Sequence, residues 1–100
     1  MHRLVVLYPQ PIDPAAFADH YVSTHLPLAD RLPGLLASRY SLEVHGEGSP
    51  YFAVFEADFA DPAAMAAAMA SPEGQAVAAD VPSYATGGAV VIDYPVTERT

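Results

Sequence analysis

Two histidines lie five residues apart in the segment His20-Tyr21-Val22-Ser23-Thr24-His25-Leu26-Pro27-Leu28, the densest polar cluster of the chain. Imidazole is the side chain whose ordinary ionisation falls near neutrality, so it can take or give a proton at pH 7. Phe17, Tyr21 and His25 recur at i, i+4 and i+8, which places them on one helical face. His25 is therefore expected to point toward a sheet and an apolar pocket, as a general acid/base. The competing reading is a structural histidine bonded to a backbone carbonyl where Pro27 breaks the helix. His20 is expected on a different part of the helix surface, as a surface or hinge residue. The spacing differs from the i, i+4 pair of zinc-binding helices, and no third ligand is evident, so no metal site is expected.

The aromatic choice is the next chemical signal: six tyrosines and no tryptophan. Tyr40 and Tyr51 fall on neighbouring strands close to Phe55. Hydroxyls at such positions can orient a phenol, quinone or carbonyl ligand. Tyr21, Tyr40, Tyr51 and Phe55 are thus the expected substrate-binding residues, with ordinary core packing as the alternative for any one of them. Glu56 follows the positions Phe52 and Val54, which alternate onto one face. It is read either as a proton carrier or as one half of a salt bridge to an arginine across a dimer. Asp80, just before Val81-Pro82, is read as a loop-fixing residue and kept with His20 and Glu56 among the further site candidates.

Composition removes whole classes of function. The chain has 100 residues, 52% of them hydrophobic, which suits one domain with a real core over residues 1–100. It has no cysteine, so disulfides, thiolate metal sites and thiol catalysis are excluded. A net charge of −8, with four arginines and no lysine, would repel a phosphate backbone or an anionic membrane. No nucleic acid or membrane partner is expected. There is no Gly-rich phosphate loop, no GxGxxG and no GxSxG, so ATP, NAD, FAD and other organic cofactors are not expected either. The apolar run at residues 4–7 is too short for a signal-peptide core, nothing reaches a membrane-spanning length, and the cytoplasm is the simplest compartment.

The elements that must position these residues follow from local pattern. Residues 4–8 are apolar on both faces, as in a buried strand. Asp13-Pro14 starts a helix that runs to about residue 24 and breaks around His25-Leu26. A helical turn at 28–32 ends at Pro33-Gly34. Residues 37–45 and 51–59 form a hairpin. Asp61-Pro62 and Ser71-Pro72-Glu73 open two further helices, residues 89–96 form the last strand, and 97–100 are a loose polar tail. The order β, α, β, β, α, β gives an α+β, ferredoxin-like fold: a four-stranded antiparallel sheet with helices on one face. The uncovered face is not polar. Strict alternation puts Tyr51, Phe55 and Phe59 on one side of the third strand and Phe52 and Val54 on the other, and the last strand is similar. An apolar patch of that size predicts a homodimer with the sheets packed face to face.

The pattern Phe17-x-x-His20-Tyr21-x-x-x-His25-Leu26-Pro27-Leu28, followed by Leu32-Pro33-Gly34, the strand at 51–59, Ser71-Pro72-Glu73-Gly74-Gln75 and Asp80, resembles the EthD-like family of the dimeric α+β barrel superfamily. The likeness covers residues 4–96. It implies two protomers joined into a barrel, each with a pocket between sheet and helices. That family takes its name from a protein required for bacterial degradation of ethyl tert-butyl ether, and its members are often labelled oxidoreductases. The wider superfamily includes lactone isomerases, polyketide cyclases and cofactor-free monooxygenases, often with a histidine on or near the first helix, which matches His25. The resemblance therefore implies a cofactor-independent enzyme, of oxidoreductase or isomerase/cyclase type, on a small oxygenated hydrophobic or aromatic molecule. The alternative is a non-catalytic dimeric module that binds a hydrophobic metabolite. Haem, bound by some barrel relatives, is disfavoured by the charge of −8 and the lack of lysine.

Overall fold

The computed structural model describes residues 1–99; Thr100, the end of the expected polar tail, lies outside the described residues. The elements are β1 (His2–Pro9), α1 (Pro14–His20), a π-helical turn (Tyr21–His25), α2 (Leu26–Ala29), β2 (Ala37–Ser41), β3 (Tyr51–Phe59), α3 (Pro62–Ala70), α4 (Pro72–Asp80), a 3-10 turn (Val81–Ser83) and β4 (Val90–Pro95). The strands pair antiparallel in the order β2-β3-β1-β4. This is the α+β ferredoxin-like sheet that the order of elements predicts. No helix among the described residues is long and apolar enough to cross a membrane.

The central strands explain the apolar runs. On the helix-covered face, Leu4, Val6 and Tyr8 of β1 lie opposite Ala57, Phe55 and Ala53 of β3. Ala53 and Ala57 are fully buried, and their small side chains leave room for the large rings of Tyr8, Phe17, Tyr21 and Phe59 that fill the core. On the open face Arg3, Val5 and Leu7 lie opposite Asp58, Glu56 and Val54.

Two local features depart from the simple sequence pattern. The register shifts between Tyr8, which pairs with Ala53, and Pro9, which pairs with Tyr51. Phe52 is therefore the extra residue of a β-bulge, and bulges re-aim side chains. Strict alternation predicts Phe52 on the open face; instead its ring meets Phe17 of α1 edge-on at 5.1 Å. The second departure is at the first helix. It does not break at Pro27: Leu26 keeps helical dihedrals of φ −59° and ψ −43°, and its N–H donates to the Tyr21 carbonyl, five residues back. Proline in an α-helix clashes with the carbonyl four residues earlier. A single wider π turn relaxes that crowding without ending the helix.

The other helix starts are capped as expected. The Asp13, Asp61 and Ser71 side chains accept from the N–H groups of Ala16, Ala64 and Gly74 at 3.0, 2.7 and 3.1 Å. Gly74 has a further role. A Cβ there would sit 2.3 Å from the carbonyl oxygen of Ala68, so only glycine lets α4 turn this tightly off the end of α3. That turn carries Val77, Ala78 and Asp80 back across the sheet.

The open face is a mixture of charge and apolar surface. Asp58 is 4% exposed and accepts from Arg3 Nε at 2.7 Å and Arg39 Nη2 at 2.6 Å. Hydrogen bonds from the two guanidinium groups outweigh burial and hold its carboxyl down at about 2. Glu56 accepts from Arg39 of the same chain at 3.4 Å. Beside this network, Val90, Ile92 and Tyr94 of β4 are exposed.

Candidate active site

The π turn decides which side chains meet. In an α-helix, residues five apart diverge by about 140°, a spacing that predicts His20 facing away from His25. A π turn instead stacks residue i+5 over residue i. Both imidazoles consequently reach one carboxylate on α4. His25 Nδ1 lies 2.9 Å from Asp80 Oδ2, and His20 Nε2 lies 2.9 and 3.1 Å from the two oxygens of Asp80. The partner of His25 is thus a carboxylate, not a backbone carbonyl. Asp80, read from the sequence as a loop-fixing residue, joins the end of α4 to the first helix through both rings.

The proton positions follow from the acceptor. An ionised carboxylate can only accept, so His25 donates from Nδ1 and His20 donates from Nε2. The remaining nitrogen of a neutral His25, Nε2, then carries a lone pair and makes no hydrogen bond among the described residues. His25 lines a cavity of about 280 Å³ between the sheet and α3, α4 and the 3-10 turn. Its walls include Leu4, Val6, Phe55, Met69, Val77 and Val81, and Tyr8 is the other ionisable residue in the lining. No arginine reaches it.

Burial sets the electrostatics. Desolvation lowers the His25 imidazole below its ordinary value, and the hydrogen bond and charge of Asp80 only partly offset this. The ring is therefore neutral at pH 7. Burial alone would raise the Asp80 carboxyl, but the hydrogen bonds from His20 and His25 outweigh it and hold it below its ordinary value. The side chain of His25 is 5% exposed and that of His20 is 31% exposed, so one ring faces the cavity and the other reaches solvent.

A cage of tyrosines fixes the rings. Tyr21 stacks on His25 with centroids 5.2 Å apart and 23° between planes. Tyr84 meets His25 at 4.7 Å and stacks on His20 at 5.6 Å. The hydroxyls of Tyr8 and Tyr84 share a hydrogen bond of 2.8 Å. The Tyr21 hydroxyl is buried without a hydrogen-bond partner, although Tyr8 is near enough to influence its ionisation. Burial pushes the hydroxyls of Tyr8, Tyr21 and Tyr84 above the ordinary range, so all three stay protonated.

The remaining sequence candidates are placed apart from this cluster to different degrees. Phe55 lines the cavity. Tyr40 is 47% exposed; its ring lies 6.0 Å from Tyr21 and lines a shallow surface depression with Asp30 and Arg39. Tyr51 starts β3, half-buried, beside the bulge and outside the cavity wall. Glu56 is on the opposite face of the sheet. Tyr8 and Tyr84 were not among the sequence candidates. Tyr8 continues the inward Leu4, Val6 alternation, a signal that was present. Tyr84 follows Pro82 in irregular chain, where no periodicity marks it. Among the described residues, no group of three His, Asp or Glu side chains is arranged to hold a metal ion.

Residues 9–88 match the EthD domain family. An uncharacterised 11.0 kDa protein encoded in the thcB-thcC intergenic region of Rhodococcus erythropolis is 37% identical over 94 residues, covering 92% of this chain and 91% of that protein. The crystal structure of an EthD-family protein from Bacillus halodurans superimposes with a TM-score of 0.90 at 29% identity, covering 97% of this chain and 99% of the other. The fold is shared more distantly with SnoaB, a cofactor-independent oxygenase from Streptomyces nogalater, at a TM-score of 0.69 and 17% identity, over 98% of this chain and 94% of that one. Other structures of this fold, 12 to 24% identical, are described as dimeric ferredoxin-like proteins of unknown function.

Proposed function

The chain belongs to the EthD domain family, and from that premise and the His25–Asp80 pair we propose that it is a cofactor-independent enzyme acting on a small, uncharged, oxygenated hydrophobic molecule. The observation that carries this reading is an imidazole held by a carboxylate at Nδ1 while the residue lines an apolar cavity. In this reading Nε2 takes a proton from a substrate O–H, or from a C–H beside a carbonyl. The imidazolium that forms is stabilised by Asp80, and the proton is returned elsewhere on the substrate, as isomerisation or cyclisation requires. The same substrate anion is the species that a cofactor-independent oxygenation would need.

Substrate class follows from the walls. A carboxylate or phosphate would enter the cavity without a cationic partner and at a high desolvation cost. Arg3 and Arg39 are committed to Asp58 on the other face. Phe55 and Tyr8 supply aromatic wall to the cavity, and Tyr21, stacked on His25, orients the imidazole in this reading. The functional unit in this reading is a homodimer, with Val90, Ile92 and Tyr94 covered by a second sheet.

Proton exchange tests this reading whatever the product. Phenols, quinones and lactones are incubated in D₂O, and deuterium entering substrate carbon is followed by NMR. Wild type is expected to exchange a member of the panel, and His25→Ala to do so about 10²- to 10⁴-fold more slowly. Thermal shifts with the same compounds report binding. The second reading, a binding module, rests on the same cavity and does not need the histidine. Stabilisation by a ligand that survives His25→Ala, with no exchange or turnover by wild type, would overturn the enzyme reading in its favour.

A further inference from the structure

We infer that His20 is a positioning residue for His25, acting through the Asp80 carboxylate that the two rings share, so that the charge on a solvent-reaching imidazole sets the proton affinity of the buried base. The inference rests on the proposed role of His25, but its geometry stands apart from any substrate. His20 Nε2 contacts both oxygens of Asp80, and His25 Nδ1 contacts one of the same two. The π turn brings this about by placing rings five residues apart on one side of the helix.

The consequence is coupled titration. With His20 neutral, the full charge of Asp80 favours a proton on His25. With His20 protonated, that charge is already shared, and a second proton would leave the trio with a net positive charge in a partly buried site. An imidazole that water can reach takes up a proton at lower cost than one enclosed by apolar walls, and of the two rings His20 is the one that reaches solvent. A charged His20 on the shared carboxylate keeps His25 neutral and able to act as a base further into the acid range than a lone His–Asp pair would allow. The groups packed against the trio from other elements do not interfere. They are Tyr8 from β1, Tyr21 from the π turn and Tyr84 beyond the 3-10 turn, and all stay protonated. Asp80 and His20 are the ionisable groups that act on His25.

The experiment is an imidazole ¹⁵N NMR titration of the full chain from pH 4 to 8. In wild type, the His25 nitrogens are expected to show two inflections, one coinciding with the titration of His20. His20→Gln keeps an N–H donor for Asp80 and removes the charge. In it, the His25 midpoint is expected to move to higher pH and the extra inflection to vanish. Asp80→Asn is expected to move that midpoint to lower pH, which a merely structural role for the carboxylate would not do. A single inflection in wild type overturns the inference even if the variants do not fold, and so does an unchanged midpoint in a folded His20→Gln. Failure of the deuterium-exchange assay removes the enzyme reading and leaves the NMR result intact; failure of the NMR test removes only the coupling.

Discussion

Asp58 and Asp80 are each held by two nitrogen donors, on opposite faces of one sheet, and the contrast between them lies in what those donors can do. Asp58 is clamped by Arg3 and Arg39 at 2.7 and 2.6 Å, and Asp80 by His25 and His20 at 2.9 Å each. The side chain of Asp58 is the more buried of the two, at 5% against 13% exposed. Burial alone would therefore single out Asp58, which lies away from the cavity. What differs is the partners. Guanidinium groups do not give up their protons in a protein, so the Asp58 site keeps one charge state around neutrality and ties β1, β2 and β3 together. Imidazoles change charge near neutrality, and one of the pair at Asp80 lines a cavity.

Stability measurements should separate the two sites. Asp58→Asn leaves two guanidinium groups with a weaker, neutral acceptor. The arginines are partly solvated, which moderates the loss, and the melting temperature is expected to fall by roughly 10 °C. Asp80→Asn leaves an amide oxygen that still accepts from a neutral imidazole, and a fall of about 5 °C is expected. An equal or larger loss for Asp80→Asn would make the histidine cluster a structural clamp too, and the contrast would fail.

The pH dependence sharpens the same contrast. Asp58 has a folded value of about 2 against an ordinary value of about 3.9. Its depressed folded value means that its contribution is present above pH ~4 and is lost as pH falls from there toward 2. Asp80, also held below its ordinary value, adds to that acid step. His25 is lowered as well, but it is a base. Below pH ~6.5 the unfolded imidazole takes a proton that the folded one refuses, so stability falls as pH drops through that region and levels off below the folded value. Urea midpoints measured from pH 2 to 8 should show two declines. His25→Ala is expected to remove the upper one and Asp58→Asn to shrink the lower one. A single decline near pH 4 in wild type would mean that His25 is not held neutral by its burial.

Much of the scaffold was legible, because Asp-Pro and Ser-Pro caps, strand alternation and turn residues act locally. The order of elements required the sheet that is observed. The histidine cluster was legible only in its parts. Asp80 lies 55 residues from His25 and 60 from His20, and no local pattern ties them. The π turn has no propensity signature of its own. It arises where Pro27 and the docked faces of α1 and α2 must be reconciled, and it alone turns His20 from a surface position toward Asp80. The bulge at Tyr8 and Pro9 likewise depends on pairing between strands, which is why simple alternation puts Phe52 on the wrong face. The π turn and the bulge are each a one-residue change in phase, and each changes which side chains meet.

Tyr84→Phe is the finest probe of the difference between the two faces. On the open side the Asp58 contacts join full charges; on the cavity side the wall is held by a neutral hydroxyl pair, Tyr8 and Tyr84, at 2.8 Å. Losing one neutral hydrogen bond costs about 1 kcal/mol when the partner is left stranded. Here the Tyr8 hydroxyl has an alternative, because the nearby Tyr21 oxygen is buried without a partner and can accept from it after a small rotation. The expected loss is therefore smaller, about 0.5 kcal/mol, with the phenyl ring still packed on His25 and His20. Because Tyr8 lines the cavity, turning its hydroxyl should alter ligand preference more than stability. Urea midpoints and thermal shifts with the same phenol and lactone panel measure the two effects. A stability loss matching that of Asp58→Asn, with ligand preference unchanged, would show that the tyrosines serve as scaffold and that the cavity wall is no more adaptable than the arginine clamp.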